Sequence, residues 1–272
     1  MNSFHARTAR PKPKAVPKPA VHHGVRADAL LVQRGLAPSR TAAQRLIEAG
    51  RVSLDGSTLT KPAQVLVDEA RLVVAPAEVA EYVSRGGIKL AGALQHSGID
   101  AYGLVCLDVG QSTGGFTDCL LQHGAARVVG VDVGHGQLNP KLASDPRVEH
   151  YEGINARDLQ KSALAIRQNE RQFDLIVADV SFISLTLILP QLPPLLAKLG
   201  NLLLLVKPQF EVGPENIGKG GIVTNASLYA SVKNRLADCC IAHHLAVVDW
   251  FDSPITGTDG NREFFLHARH GQ

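Results

Sequence analysis

The chain has 272 residues, enough for two domains, one of them of full α/β size. Its 45% hydrophobic and 19% charged residues are globular values, and no apolar run approaches the roughly 20 residues of a membrane-spanning helix. The formal net charge is only +3, and Cys106, Cys119, Cys239 and Cys240 show no C-x-x-C spacing, so they read as reduced thiols of a cytoplasmic protein rather than metal ligands or a disulfide frame.

Residues 1–24 carry Arg7, Arg10, Lys12, Lys14 and Lys18, no acid, and four prolines among the lysines. No apolar segment follows these charges, so the stretch is not a secretory signal. It reads as a disordered leader, either an inert solvated tail or a contact for a polyanion. Residues 25–83 form a small α+β unit. Arg26 to Arg34 reads as a helix closed by Gly35. Ser39 caps a second helix over 40–49, which Gly50 ends. Residues 51–54 and 71–74 read as strands, with Asp55-Gly56 as a turn. Arg40, Gln44 and Arg45 lie opposite the apolar stripe of the second helix. With Arg34 and Arg51 they form either an ordinary solvated face or a phosphate-binding patch. The order Arg26-Ala27-Asp28-Ala29-Leu30-Leu31, Gly35-Leu36-Ala37-Pro38-Ser39-Arg40 and Leu46-Ile47-Glu48-Ala49-Gly50-Arg51-Val52 resembles the RNA-binding domain named after the fourth small-subunit ribosomal protein. That resemblance implies that Arg34, Arg40, Gln44, Arg45 and Arg51 touch structured RNA.

Residues 84–272 alternate strand and helix. Strands are expected at 105–108, 127–131, 148–150, 173–178, 201–206, 245–251 and 263–268. Pro190, Pro193 and Pro194 interrupt the stretch 186–198. Seven strands with helical crossovers make a doubly wound, Rossmann-like α/β sheet. Its first strand runs through Asp108 into the turn Gly110-Gln111-Ser112-Thr113-Gly114-Gly115-Phe116, and a helix follows. This is either an ordinary strand–helix turn or a ligand cradle. It is not G-x-G-x-x-G, so a dinucleotide pyrophosphate fits poorly. An acid followed by a glycine-rich turn suits S-adenosylmethionine, whose amino-acid end needs a carboxylate and backbone amides. Asp132, 22 residues beyond Gly110 and next to Val133, stands where such a sheet places an acid on ribose hydroxyls. Asn155 and Asp158 stand where an adenine amino group would be read.

Asp179 ends the fourth strand and Lys207 the fifth, both at the carboxyl edge where ligands bind. A lysine directly behind five apolar residues is costly to desolvate unless paired. Burial near other cations would lower its pKa and make it a base for a ribose 2′-hydroxyl. Asp179-Val180-Ser181-Phe182 is not the Asn/Asp-Pro-Pro-aromatic run of an amino-group methylase, and no cysteine follows a proline, so a hydroxyl target remains.

The blocks Ser84-Arg85-Gly86-Gly87-Ile88-Lys89-Leu90, Gly110 to Thr117, Asp132-Val133-Gly134-His135-Gly136-Gln137-Leu138, Ala178 to Leu185, Val206 to Glu211 and Asn261-Arg262-Glu263-Phe264-Phe265-Leu266 resemble the TlyA family of ribosomal RNA 2′-O-methyltransferases, also known as haemolysins. The sheet is similar to that of the FtsJ/RrmJ ribose methyltransferases. The resemblance implies a class I methyltransferase domain with a Lys-Asp-Lys-Glu catalytic tetrad at Lys89, Asp179, Lys207 and Glu263. It also implies S-adenosylmethionine held by Asp108, Gly110, Ser112, Thr113, Gly114, Gly115, Phe116, Asp132, Val133, Asn155 and Asp179. The substrate implied is the 2′-hydroxyl of a cytidine in ribosomal RNA or a ribosomal subunit. No metal or membrane takes part, and the protein is read as a monomer. Gln111 departs from the family's usual alanine, and its bulk is expected to crowd or reorient the cofactor. The rival readings are a non-catalytic ribosome assembly factor and a membrane-active haemolysin.

Overall fold

The computed structural model describes residues 24–48, 50–67, 70–74, 81–162 and 172–271, with the side chains of Arg45 and Glu48 outside that set. The basic leader, apart from Gly24, also lies outside it. The chain divides into two compact units after Glu78.

In the N-terminal unit β1 (Val25–Arg26) leads into α1 (Ala27–Gln33), and α2 (Arg40–Glu48) follows. Ser39 caps α2, because its Oγ accepts from the Ala42 N–H at 3.2 Å. Next come β2 (Val52–Leu54), β3 (Ser57–Thr58), β4 (Val65–Leu66) and β5 (Leu72–Val74). Asp55 and Gly56 both have positive φ (50° and 86°), the signature of a two-residue type I′ hairpin, and they set Leu54 opposite Ser57. β2 also pairs with β5, and β1 with β4. Leu30, Leu31, Ala43, Ile47, Val52 and Leu66 form the core of this unit.

The second unit is built on a seven-stranded sheet. Its elements are α3 (Arg85–Ser97), β6 (Val105–Val109), α4 (Gly115–Gln122), β7 (Arg127–Val131), α5 (Pro140–Ala143), β8 (Val148–Tyr151), β9 (Phe173–Ala178), β10 (Leu196–Val206), α6 (Ser227–Ala242), β11 (Leu245–Asp252) and β12 (Phe264–His270). The strand order is β11-β12-β10-β9-β6-β7-β8. β12 runs antiparallel to both its neighbours, and the other pairs are parallel. This is the doubly wound sheet expected from the alternation. The run Leu202–Val206 is continuously apolar because β10 is covered on both faces: Leu202, Leu204 and Val206 pack into one core layer, Leu203 and Leu205 into the other.

Two details differ from the sequence expectation. The proline-interrupted stretch forms three short 3₁₀ turns, Leu185–Leu187, Leu189–Gln191 and Pro193–Leu195, since proline lacks the donor a continuous helix needs. β10 also begins five residues early, at Leu196, through an irregular register before Asn201.

Candidate active site

The sheet register gathers the site. Val109 lies opposite both Val131 and Ala178, so Gly110, Asp132 and Asp179 leave the sheet side by side. Val206 lies opposite Phe264 in an antiparallel pair, so Lys207 and Glu263 also meet at that edge. At Gly110, φ is +85° and a Cβ would stand 2.5 Å from the Asp179 carbonyl oxygen, so only glycine fits.

Two cavities open here, sharing Gly110, Ser112, Asp179 and Ser181. The larger, about 600 Å³, is lined by Val131, Asp132, Val133, Gln137, Ile154, Asn155, Arg157 and the 180–183 loop. Its volume suits a nucleoside-sized ligand. The Asp132 carboxylate accepts from the Ser112 N–H and the Gly134 N–H, each at 2.7 Å. Each oxygen keeps lone-pair capacity for a hydroxyl. Asn155 lines this cavity, but its Oδ1 accepts from the Arg157 N–H at 3.0 Å, which leaves its amide nitrogen for a ligand. Asp158 is exposed and lines neither cavity.

The smaller cavity, about 410 Å³, is lined by Ser84, Arg85, Gly86, Lys89, Thr113, Gly115, Phe116, Lys207 and Thr258. Two ion pairs sit in its wall. Lys207 Nζ lies 2.6 Å from Asp179 Oδ1 and donates to Ser181 Oγ at 2.9 Å. Lys89, from α3, lies 2.6 Å from Glu263 Oε2. Both lysine side chains are about nine-tenths buried, and the Glu263 side chain is 2% exposed. Burial raises the Glu263 carboxyl above its ordinary range, against the pull of Lys89. The four residues of the tetrad therefore share one edge and one field.

Two expected cofactor residues stand elsewhere. Asp108 lines neither cavity. It is wholly buried under the turn, where Thr117 donates to its Oδ2 at 2.7 Å. Burial pushes its carboxyl up to about 7. Gly114, also outside both cavity walls, has φ +92°, and a Cβ there would meet Leu142 at 2.3 Å, so it serves the turn. Gln111 lines the smaller cavity and not the larger one. Its side chain turns inward over Gly130 and donates to Thr117 Oγ1 at 2.9 Å.

The sequence reading missed several participants. Ser181 receives the Lys207 ammonium. Phe182 is 89% exposed at a positive φ of 63°, beside the Phe210 ring. Glu211 accepts from Ser184 Oγ (2.7 Å), Leu185 N–H (2.7 Å) and Arg235 (2.9 Å), and so ties the loop after β9 to the loop after β10. Ser181 and Phe182 lie two and three residues beyond Asp179, but nothing in a single sequence separates them from ordinary loop residues.

In the N-terminal unit the proposed RNA face is partly occupied. Asp28 is fully buried, and Arg26 (2.8 Å), Arg40 (3.2 Å) and Gln44 (2.9 Å) all converge on its Oδ2. These partners hold its carboxyl well below the usual carboxylate range. Arg34 donates to the Ala70 carbonyl at 2.6 Å, and Arg51 is half-buried. The Arg45 side chain lies outside the described residues.

Residues 82–270 match the FtsJ-like methyltransferase family and residues 25–72 the S4 domain. The chain is 45% identical to the 16S/23S rRNA (cytidine-2'-O)-methyltransferase TlyA of Mycobacterium tuberculosis, over 90% of this chain and 89% of that one. It is 40% identical to Hemolysin A of Brachyspira hyodysenteriae, over 89% of this chain and 99% of that one. Among solved structures, a hemolysin-named protein from Streptococcus thermophilus superposes with a TM-score of 0.70 at 38% identity, covering 93% of this chain and 90% of that one. The paired lysines and acids at the sheet edge, the matched domains and these relatives have one reading: the chain belongs to the TlyA family, an S4 domain joined to an FtsJ-like methyltransferase domain.

Proposed function

We propose that this protein methylates the 2′-hydroxyl of a cytidine in ribosomal RNA, using S-adenosylmethionine, with the S4-type unit supplying RNA affinity. The observation that carries the reading is the pair of buried Lys–carboxylate contacts, Lys207–Asp179 and Lys89–Glu263, beside a nucleoside-sized cavity. S-adenosylmethionine fits that cavity because its lining includes the bare backbone of Gly110 and the Asp132 carboxylate, an acceptor for ribose hydroxyls. When bound, it supplies an electrophilic methyl group on a sulfonium. Asp132 and Asn155 would hold its nucleoside end, with Gly110, Ser112 and Asp179 between the two cavities.

A ribose hydroxyl is a weak acid, so its oxygen would need help as it gives its proton to solvent water and becomes the nucleophile. Lys207 has three donors. One goes to Asp179 and one to Ser181, and the third meets the hydroxyl oxygen and stabilises its developing charge. Asp179 fixes the ammonium in place. Lys89 and Glu263 complete the polar wall on the acceptor side. Fixing the acceptor hydroxyl beside the cofactor site would supply most of the acceleration. Arg34, Arg40, Gln44, Arg45 and Arg51 are the RNA contacts of the S4-type unit, although Arg40 and Gln44 also serve Asp28. The protein works as a single chain in the cytoplasm, where ribosomes are.

The test is transfer of labelled methyl from S-adenosylmethionine to purified ribosomal subunits, followed by mapping of 2′-O-methyl groups. The expected product is a 2′-O-methylcytidine that is absent without the protein. Tight RNA binding with no transfer would leave the assembly-factor reading. Membrane lysis by the purified protein would favour the haemolysin reading, but no helix among the described residues is long and apolar enough to cross a membrane.

A further inference from the structure

Asn261 and Asp259 have no part in the reaction as described, yet they stand in the segment that leads to Glu263. Asn261 is 1% exposed. Its N–H donates to Asp259 Oδ1 at 3.0 Å, and its Nδ2 donates to Asp259 Oδ2 at 2.8 Å and to the Gly221 carbonyl at 2.9 Å. Its Oδ1 accepts from the Val223 N–H at 2.9 Å, and its carbonyl accepts from the Gly257 N–H at 2.9 Å. Gln209 adds a bond to Asp259 Oδ2 at 3.1 Å. Every polar group of Asn261 is thus engaged, and the knot joins the segment after β10 to the β11–β12 connection. Asn261 is the buried centre of this knot, and having all its polar groups engaged fixes its position.

The knot turns Gly257 back onto the acceptor side of the site. A Cβ on Gly257 would stand 2.8 Å from Glu263 Oε1 and 2.6 Å from Asp259 Oδ1. The Glu263 carboxylate therefore lies against bare backbone. One residue on, Thr258 lines the smaller cavity, and one residue back, the Thr256 carbonyl accepts from Arg85 at 3.0 Å. None of Gln209, Gly221, Val223, Gly257, Asp259 and Asn261 lines the larger cavity.

We infer that Asn261 and Asp259 are positioning residues for the acceptor side of methyl transfer: through Gly257 they hold the Glu263 carboxylate on Lys89 and set Thr258 in the cavity wall, without touching the cofactor side. The inference rests on the transfer reading above. Its main probe is Gly257→Ala, whose Cβ has no left-handed backbone to strain and pushes on both the Asp259 and the Glu263 carboxylates. The single-turnover rate with both ligands saturating should fall by about a hundredfold, the effect of a misplacement near an ångström. S-adenosylhomocysteine affinity by calorimetry and the melting temperature should match wild type. Asn261→Asp, which sets two side-chain carboxylates together without a donor between them, should lower the rate likewise and lower the melting temperature as well. Adding Asp259→Asn restores an amide–carboxylate contact between 259 and 261 and should recover part of the rate. A Gly257→Ala protein at the wild-type rate, or one whose cofactor affinity falls as far as its rate, overturns the inference. If the wild type itself transfers no methyl group, the functional reading fails separately. The knot is then judged by the ¹³C resonance of the Glu263 carboxyl, assigned through Glu263→Gln. That resonance should move in Gly257→Ala, and an unmoved resonance overturns the inference.

Discussion

Asp108→Asn should change the sign of its effect on stability between mildly acidic and alkaline pH. Burial lifts the Asp108 carboxyl to about 7, against about 3.9 for an exposed aspartate. The folded protein therefore holds this proton more tightly than the unfolded chain does. The associated stability is complete below about pH 4 and is lost as pH rises through about 7. The separation, about three pH units at about 1.4 kcal/mol each, makes the alkaline loss about 4 kcal/mol. Asparagine never ionises, so it escapes that loss. It does place an amide nitrogen where one carboxyl oxygen has no partner, which costs about 1–3 kcal/mol at every pH. The variant should be less stable than wild type near pH 4 by about 0.5–2.5 kcal/mol, because little of the ionisation loss has accrued there, and more stable near pH 8.5 by about 1–3 kcal/mol. Glu263 is raised as well, but it is common to both proteins and cancels in the difference. Urea unfolding followed by the single tryptophan, Trp250, reports on this unit. A stability difference that is constant between pH 4 and pH 8.5 would refute the reasoning, because Asp108 would then be ionising as an exposed acid.

Lys207→Ala should leave cofactor and RNA affinities intact and cut single-turnover methyl transfer by about a hundredfold or more; a rate near wild type would remove Lys207 from the chemistry. Asp132→Ala should weaken S-adenosylhomocysteine binding by about ten- to a hundredfold, since a ligand acceptor and two braces of the turn vanish together. Calorimetry reads this directly, and unchanged affinity would take Asp132 out of the site. Asp28→Asn should destabilise the S4-type unit by about 1–3 kcal/mol at neutral pH, with the loss shrinking as pH falls below about 4, because a depressed carboxylate stabilises only while ionised. Hydrogen exchange of residues 25–72 should accelerate while cofactor affinity holds, and equal protection in both proteins would contradict it.

Much of this fold was legible because its signals are local. The Leu202–Val206 run could only be a strand covered on both faces, and the Asp55-Gly56 pair could only be a tight hairpin. Asp132, Asp179 and Lys207 could be placed because each directly follows a strand of a parallel sheet, where position along the chain fixes position at the edge. What remained hidden depends on side-chain direction. Gln111 borders the smaller cavity, yet its amide is spent on Thr117, a direction that the sequence does not give. Asp108 looked like a ligand acid, but Thr117 holds it beneath the turn. Arg40 and Gln44 looked like a free helix face, but both reach back to Asp28, a contact sixteen residues away in the case of Gln44. The Asp259–Asn261 knot joins segments up to fifty residues apart, and no period or spacing announces it.

The inward turn of Gln111 ties the mutability of two positions together. Its carboxamide fills the space that a side chain on β7 would need, since a Cβ on Gly130 would fall 2.0 Å from the Gln111 amide. Any residue larger than glycine at 130 therefore has to push the Gln111 carboxamide off Thr117, and is disfavoured while glutamine stands at 111. A small residue at 111 would leave an opening that a methyl group at 130 is placed to refill. Gly130→Ala should arise in descendants of this chain only after, or together with, a shortening at 111. The cofactor turn can then drift in sequence along a narrow path of paired exchanges without moving the backbone that faces the ligand.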